Sequence, residues 1–280
     1  MSAVTLKLIL CCTLPIYLPG DTVPFSQNWY SGEESSGVPR TIRWAFQRPD
    51  LFRYNRVEGF SPGVRAQFRP QSPLGPISVT GMASLGLANL KPNVRLDFTR
   101  ETLQHGITVS VFHELTAIDE RAGHLRLGNS ITALVAGRDD GDYYRRSGTS
   151  LEWAHSSREE NSLRIRVFGE YHRPAKIESD FTIWGLINEK SEWRPNVGVD
   201  TGWFLGSSIE FASKWGSDPL SPHGAMLVSV EGGAGTAEYG RANLLGSLDL
   251  PIVRDMRISL EAGIGTSVGD LPIQRGWYLG

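Results

Sequence analysis

Cysteine is almost absent. The chain has two, Cys11 and Cys12, adjacent in sequence, where disulfide geometry fits poorly across one peptide bond. None follows, so the main body holds neither a disulfide scaffold nor a cysteine-based zinc site. An excess of one charge is missing too. The 28 basic residues face 30 acidic ones, for a net charge of −2. Without a basic block there is no electrostatic footprint for nucleic acid. Long apolar runs are also lacking. The nearest approach, residues 8–18 behind Lys7, is too short and too interrupted to cross a membrane as a helix. No small-x-small cleavage site follows it, so residues 1–18 read as a weak secretion signal or as a strand or connector. No segment sustains helical periodicity.

Signs of chemistry are equally sparse. The histidines His105, His113, His124, His155, His172 and His223 are scattered, with no His-x-x-x-His pair. They read as isolated polar residues and no metal is expected, although a set assembled across strands stays open. Serines are abundant, so a Ser-His pairing would arise by chance, and no Gly-x-Ser-x-Gly elbow is present. Nucleophile, oriented base and oxyanion site do not come together, so no catalytic residue is assigned and no enzyme is expected. Gly263 to Gly269 runs Gly-x-Gly-x-x-x-Gly, but no helix follows it. It reads as a strand-end turn and implies no cofactor. Gly232-Gly233-Ala234-Gly235 likewise reads as a turn.

What is present is a rhythm. Segments of about ten residues alternate apolar and polar side chains between Gly-, Pro-, Asn- or Asp-rich turns, the signature of a membrane β-barrel. From Gly59 onward there are about eleven strand candidates. They run near 59–69, 76–88, 93–101, 106–116, 126–136, 147–156, 162–173, 196–206, 224–233, 240–250 and 255–265. A further strand is expected within 41–48. Val94, Leu96 and Phe98 oppose Arg95, Asp97 and Thr99. Leu163, Ile165, Val167 and Tyr171 oppose Arg164, Arg166, Glu170 and His172. Val197, Val199, Trp203 and Leu205 oppose Asp200 and Phe204. Ala242, Leu244, Leu248 and Leu250 oppose Arg241, Asn243, Ser247 and Asp249. Met256, Ile258, Leu260 and Ile264 oppose Arg257, Ser259 and Glu261. Period two with one apolar face means a sheet with one dry side.

A soluble sheet must cover such a face with a second layer, and no helices are visible for that task. Sandwich strands usually run shorter, about five or six residues, whereas strands of about nine to eleven match a tilted membrane crossing. The expected fold is therefore an all-β, antiparallel up-and-down transmembrane β-barrel, incomplete, with about eleven or twelve strands. Residues 1–40 form an N-terminal segment and linker, and 41–280 the barrel. Arg95, Asp97, Arg164, Arg166, Glu170, Asp200, Arg241, Asp249, Arg257 and Glu261 are expected to face the lumen, because ions facing lipid at mid-depth cost about 2–4 kcal/mol. The connectors differ in length. Residues 137–146 and 174–195 are expected outside the cell, and 89–92 and 251–254 in the periplasm. The connector 207–223 breaks this parity unless 208–212 extends a neighbouring strand.

Two short stretches carry a resemblance. Tyr54-Asn55-Arg56-Val57-Glu58-Gly59 resembles the start of the barrel in bacterial surface-antigen (D15-type) proteins of the Omp85 superfamily. Gln274, Arg275, Trp277, Tyr278 and Gly280, in the string Leu271 to Gly280, are similar to the lead-in to that superfamily's signature loop. The resemblance implies a roughly sixteen-stranded outer-membrane barrel, even-numbered as bacterial barrels are, preceded by periplasmic domains. It implies a Gram-negative outer-membrane location and a role in membrane-protein insertion or polypeptide translocation. The partners it implies are outer-membrane lipid and unfolded or exported polypeptides. The chain reads as a fragment that stops before the Val-Arg-Gly-Phe/Tyr motif, so Arg275 is not the motif's arginine. A passive porin-like or lipid-handling barrel, and a soluble all-β binding module, are the alternatives.

Overall fold

The computed structural model describes residues 5–7, 41–44, 51–70, 72, 75–119, 122–157, 161–186, 193–216, 221–253 and 256–277. Its strands are β1 (Thr5–Lys7), β2 (Thr41–Trp44), β3 (Phe52–Asn55), β4 (Gly59–Phe68), β5 (Ile77–Leu85), β6 (Pro92–Glu101) and β7 (His105–Ala117). They continue with β8 (Tyr143–Ser157), β9 (Asn161–Pro174), β10 (Gly202–Trp215), β11 (His223–Gly235), β12 (Tyr239–Val253) and β13 (Met256–Gly269). From β4 to β13 each strand pairs antiparallel with the next in sequence. The far edge of β4 carries β2 along Val64–Gln67 and β3 along Gly59–Pro62. Together these two short strands line that edge like one interrupted strand. β1 pairs with β13. The sheet is open: among the described residues no pairing joins β1 to β2. The antiparallel up-and-down meander expected from the alternation is thus what forms.

The faces follow the period of two. Val94, Leu96 and Phe98 are exposed on β6, as are Ile107, Val109 and Val111 on β7, Ile165 and Val167 on β9, and Trp203, Leu205, Ile209 and Phe211 on β10. The alternate residues Phe112, Phe168, Glu170, His172 and Phe204 are buried. The apolar face is the exposed one, and most of the charged face is buried or half-buried. That is the reverse of a half-buried sheet in water. Two glycines let bulky groups approach the charged face. A Cβ on Gly206 would meet the Phe168 ring at 2.6 Å, and one on Gly265 would meet the Trp277 ring at 2.8 Å.

Four expectations are corrected. The glycine runs 232–235 and 263–269, read as turns, are strand residues of β11 and β13. Residues 126–136 are not a strand: Leu127–Ala136 is a helix, α1. Its apolar residues Leu127, Ile131 and Val135 stand four apart, a spacing that a period of two and a period of 3.6 share. Gly137 settles the matter at the C-terminus. It sits at φ 65°, and the amides of Gly137 and Arg138 close onto Ala133 and Thr132, the glycine-terminated helix end. The strand expected over 196–206 instead runs from Gly202 to Trp215, extended through 208–212. Val197, Val199 and Asp200 precede it in a connector held by side-chain bonds. Asn196 takes the amide of Tyr143 at 3.0 Å and donates to the carbonyls of Tyr143 and Ala175 at 2.7 and 2.9 Å.

The last correction concerns the ends. In a strict meander, connectors alternate between them. The strand ends that flank 86–91, 118–142, 175–201 and 236–238 share one end of the sheet; those that flank 69–76, 102–104, 158–160, 216–222 and 254–255 share the other. The turn at 89–92 therefore lies beside the long connectors, not across the sheet from them. The side chain of Asn89 donates to the carbonyl of Val57 at 3.1 Å there. Length alone misplaced this turn, because a short hairpin can occur at either end.

Candidate functional site

The first stretch is buried, as are Gln274 and Arg275 of the second, and both groups lie at the long-connector end. The first is the turn from β3 into β4. Asn55 begins it, its Oδ1 accepting from the amides of Val57 and Glu58 at 2.9 Å each, a side-chain substitute for a backbone turn. Gly59 ends it at φ 63°. The pairings of this hairpin throw Arg56, Val57 and Glu58 past the end of the sheet, into the step between the short β5–β6 hairpin and the longer β7–β8 hairpin.

Each residue fills that step differently. Val57 packs with Leu115, Ala117, Tyr143 and Ala175. Glu58 is fully buried. Its Oε1 accepts from Asn93 Nδ2 at 2.8 Å and Arg145 Nη2 at 2.9 Å. Asn93 Oδ1 takes the amide of Leu115 at 2.8 Å, where β7 has outrun β6. Arg56 is also fully buried. Its amide donates to Asp139 Oδ2 at 3.0 Å and its Nη1 to the Asp139 carbonyl at 2.7 Å. Its Nη2 donates to Asp142 Oδ1 at 3.0 Å and Asn196 Oδ1 at 3.1 Å. Tyr54 donates to the carbonyl of Phe181 and touches Ser179 through its hydroxyl. A few residues thus tie β4, the β5–β6 turn and both long connectors together.

The second stretch lies across the charged face of β9 to β12. A 3-10 turn, Ile273–Arg275, places Gln274 and Arg275 against it. Arg275 Nη2 donates to Glu170 Oε2 at 2.8 Å, and its Nε stands 3.5 Å from Glu231 Oε1. Its guanidinium lies over the Phe168 ring, 5.1 Å from the centroid. Its carbonyl accepts from Arg241 Nη1 at 2.6 Å, and Arg241 Nη2 donates to Glu231 at 2.9 Å. Burial opposes the charge of Arg275, but Tyr144, Glu231 and Glu170 outweigh it and hold its pKa above the ordinary value. Gln274 Nε2 donates to His172 Nδ1 at 3.0 Å and to the Asp200 carbonyl at 3.0 Å. With Nδ1 accepting, His172 Nε2 carries the proton toward Glu170 Oε2, 2.8 Å away. Asp200 completes the seat, its carboxylate taking the amide of Ile273 at 2.8 Å.

The other expected charges spread over the same face without converging. Arg95 bonds Asp97 at 2.9 Å and Glu114 at 3.3 Å. Arg164 stands 3.3 Å from Glu210 and 3.8 Å from Glu152, and Arg166 pairs with Glu170. Asp249 stands 3.5 Å from His223 and accepts from Ser259. Glu261 is exposed on β13, opposite Ser247. Asp200 is not on a strand at all. Arg257 lies in β13 opposite Pro251, but its side chain is outside the described residues, as are Tyr278 and Gly280. Trp277 packs over Gly265.

Sequence reasoning passed over Glu114, Arg146 and Glu231, which the same alternation places on the charged face. Arg146 pairs with Glu114 at 2.9 Å. It also passed over Asp139 and Asn196, which lie in connectors and carry no periodic signal. His172, read as an isolated polar residue, is the buried centre of the second cluster. The fold defines an antiparallel meander with a charged, largely half-buried face and an apolar, exposed one. Comparison with family models and with curated proteins gave no match.

Proposed function

We propose that this chain forms wall and lumen filling of a Gram-negative outer-membrane β-barrel of the surface-antigen (D15-type) kind, working in outer-membrane protein insertion or polypeptide translocation. One observation carries the reading. The exposed face is apolar across β6 to β10, the opposite face holds the ion pairs, and residues 54–59, Gln274 and Arg275 are buried at one end. Water-soluble monomers rarely expose contiguous apolar surface beyond a few hundred Å², whereas lipid favours it. Charges on the other face then meet a wet interior. No helix among the described residues is long and apolar enough to cross a membrane, and strands would do the crossing.

The geometry also suggests how the segment containing Gln274 and Arg275 would act. Seated on Glu170 and Glu231, it would narrow the lumen, and breaking its ion pairs would widen the path. Cell fractionation tests the first part: recovery in a carbonate-resistant outer-membrane fraction is expected, and a soluble protein overturns it. Depletion in the native cell tests the second. A fall in other outer-membrane barrel proteins supports insertion or export. Unchanged levels together with lost permeability to small solutes would favour the passive porin-like or lipid-handling alternative. In planar bilayers, Arg275→Ala should raise the open-state conductance at least twofold, while Arg275→Lys should change it little.

A further inference from the structure

The far end of the sheet carries a different arrangement. His105 opens β7, and His155 stands directly opposite it on β8. Both share the face of Ile107, Val109 and Leu151. Their Nδ1 atoms are 3.3 Å apart and their ring centroids 4.6 Å apart. Trp153 stacks beside both, 5.7 Å from His105 and 6.1 Å from His155.

We propose that His105 and His155 form a two-histidine binding site for a divalent transition metal of the zinc and copper class. The spacing carries the argument. Zinc binds imidazole nitrogen at about 2.0–2.1 Å. Two nitrogens 3.3 Å apart, each at that distance, enclose an angle of about 104–111° at the metal, which is tetrahedral. Imidazole is the ligand type that suits zinc, copper and nickel. The same spacing suits a hydrogen bond in which one Nδ1–H donates to the other. On metal binding that proton moves to Nε2 of its own ring, so both Nδ1 atoms present lone pairs and no net proton is lost.

Neighbouring strands hold the two backbones in register, so chelation costs little further ordering. The indole of Trp153 limits how far either ring can swing, as outer-shell partners do at metal sites. Among the described residues no group of three or more His, Cys, Asp or Glu is placed to hold a metal ion, so the pair leaves the remaining positions open to water. Such an open site also leaves room for an anionic group on a neighbouring molecule.

The test uses the untagged, folded chain at pH 7.5, above the ordinary histidine pKa of about 6.5. Calorimetric titration with Zn²⁺ should give one site per chain. His105→Ala and His155→Ala should each weaken binding at least tenfold, and His223→Ala should leave it unchanged. With Cu²⁺, electron paramagnetic resonance should show coupling to two imidazole nitrogens in the wild type and to one in either variant. Wild-type protein that takes up no Zn²⁺, or a His105→Ala variant that binds like the wild type, overturns the proposal.

Discussion

A buried guanidinium is costly unless its donors are met, and Arg56 meets most of them on two connectors rather than on strands. Breaking a buried pair from one side costs more than the pair contributes, because the other charge stays behind. Arg56→Ala leaves the fully buried side chain of Asp139 without its ion-pair partner. A loss of about 3–5 kcal/mol is expected, read as a lower denaturant midpoint with unchanged slope. Arg56→Lys should recover only part of it, since a point charge cannot reach Asp139, Asp142 and Asn196 together. At Arg275 the outcome differs. Glu170 keeps Arg166 and His172, and Glu231 keeps Arg241, so Arg275→Ala should be milder than Arg56→Ala in the same unfolding measurement.

At the scale of elements, α1 is the piece that the alternation read as a strand and the fold made a helix. Its role is to close the gap over β3. The Tyr54 amide donates to Ser130 Oγ at 3.0 Å, and Ala133 is fully buried. The helix depends on its glycine stop, since Gly137 adopts a left-handed conformation that side chains resist. Gly137→Val should cost about 1–2 kcal/mol, and the change should appear as faster amide hydrogen exchange in 127–136 while the strands keep their protection. Uniform loss of protection across the sheet would contradict a local role. Both segments named for the resemblance were legible in the sequence as strings. The burial of 54–59, Gln274 and Arg275 was not, because most of these residues lack the apolar character that usually marks a core.

For the whole molecule, the meander assigns every connector to an end, and this yields an accessibility pattern. Single cysteines at Asn89 and Asp140 should react with an impermeant thiol reagent from the same side of a membrane, and one at Gln104 from the other. Labelling of Asn89 and Gln104 together, without Asp140, would break the meander. The Cys11→Ser/Cys12→Ser background is needed, since those are the native thiols.

The sequence by itself determined most of the strands from Gly59 onward, their number there within one, and the two faces, because a period of two is a local property of the backbone. It also determined which charges share a face wherever an alternating strand carried them. Only the tertiary structure decided the rest. A spacing of four reads equally as strand or helix until neighbours and a terminal glycine choose. The end at which a turn emerges depends on counting every strand before it, so one misread segment displaces it. Residues far apart in sequence, such as Glu170 with Arg275 and His105 with His155, meet only when register is set across the sheet. Register is a sum over all the pairings between them, and no single stretch contains it.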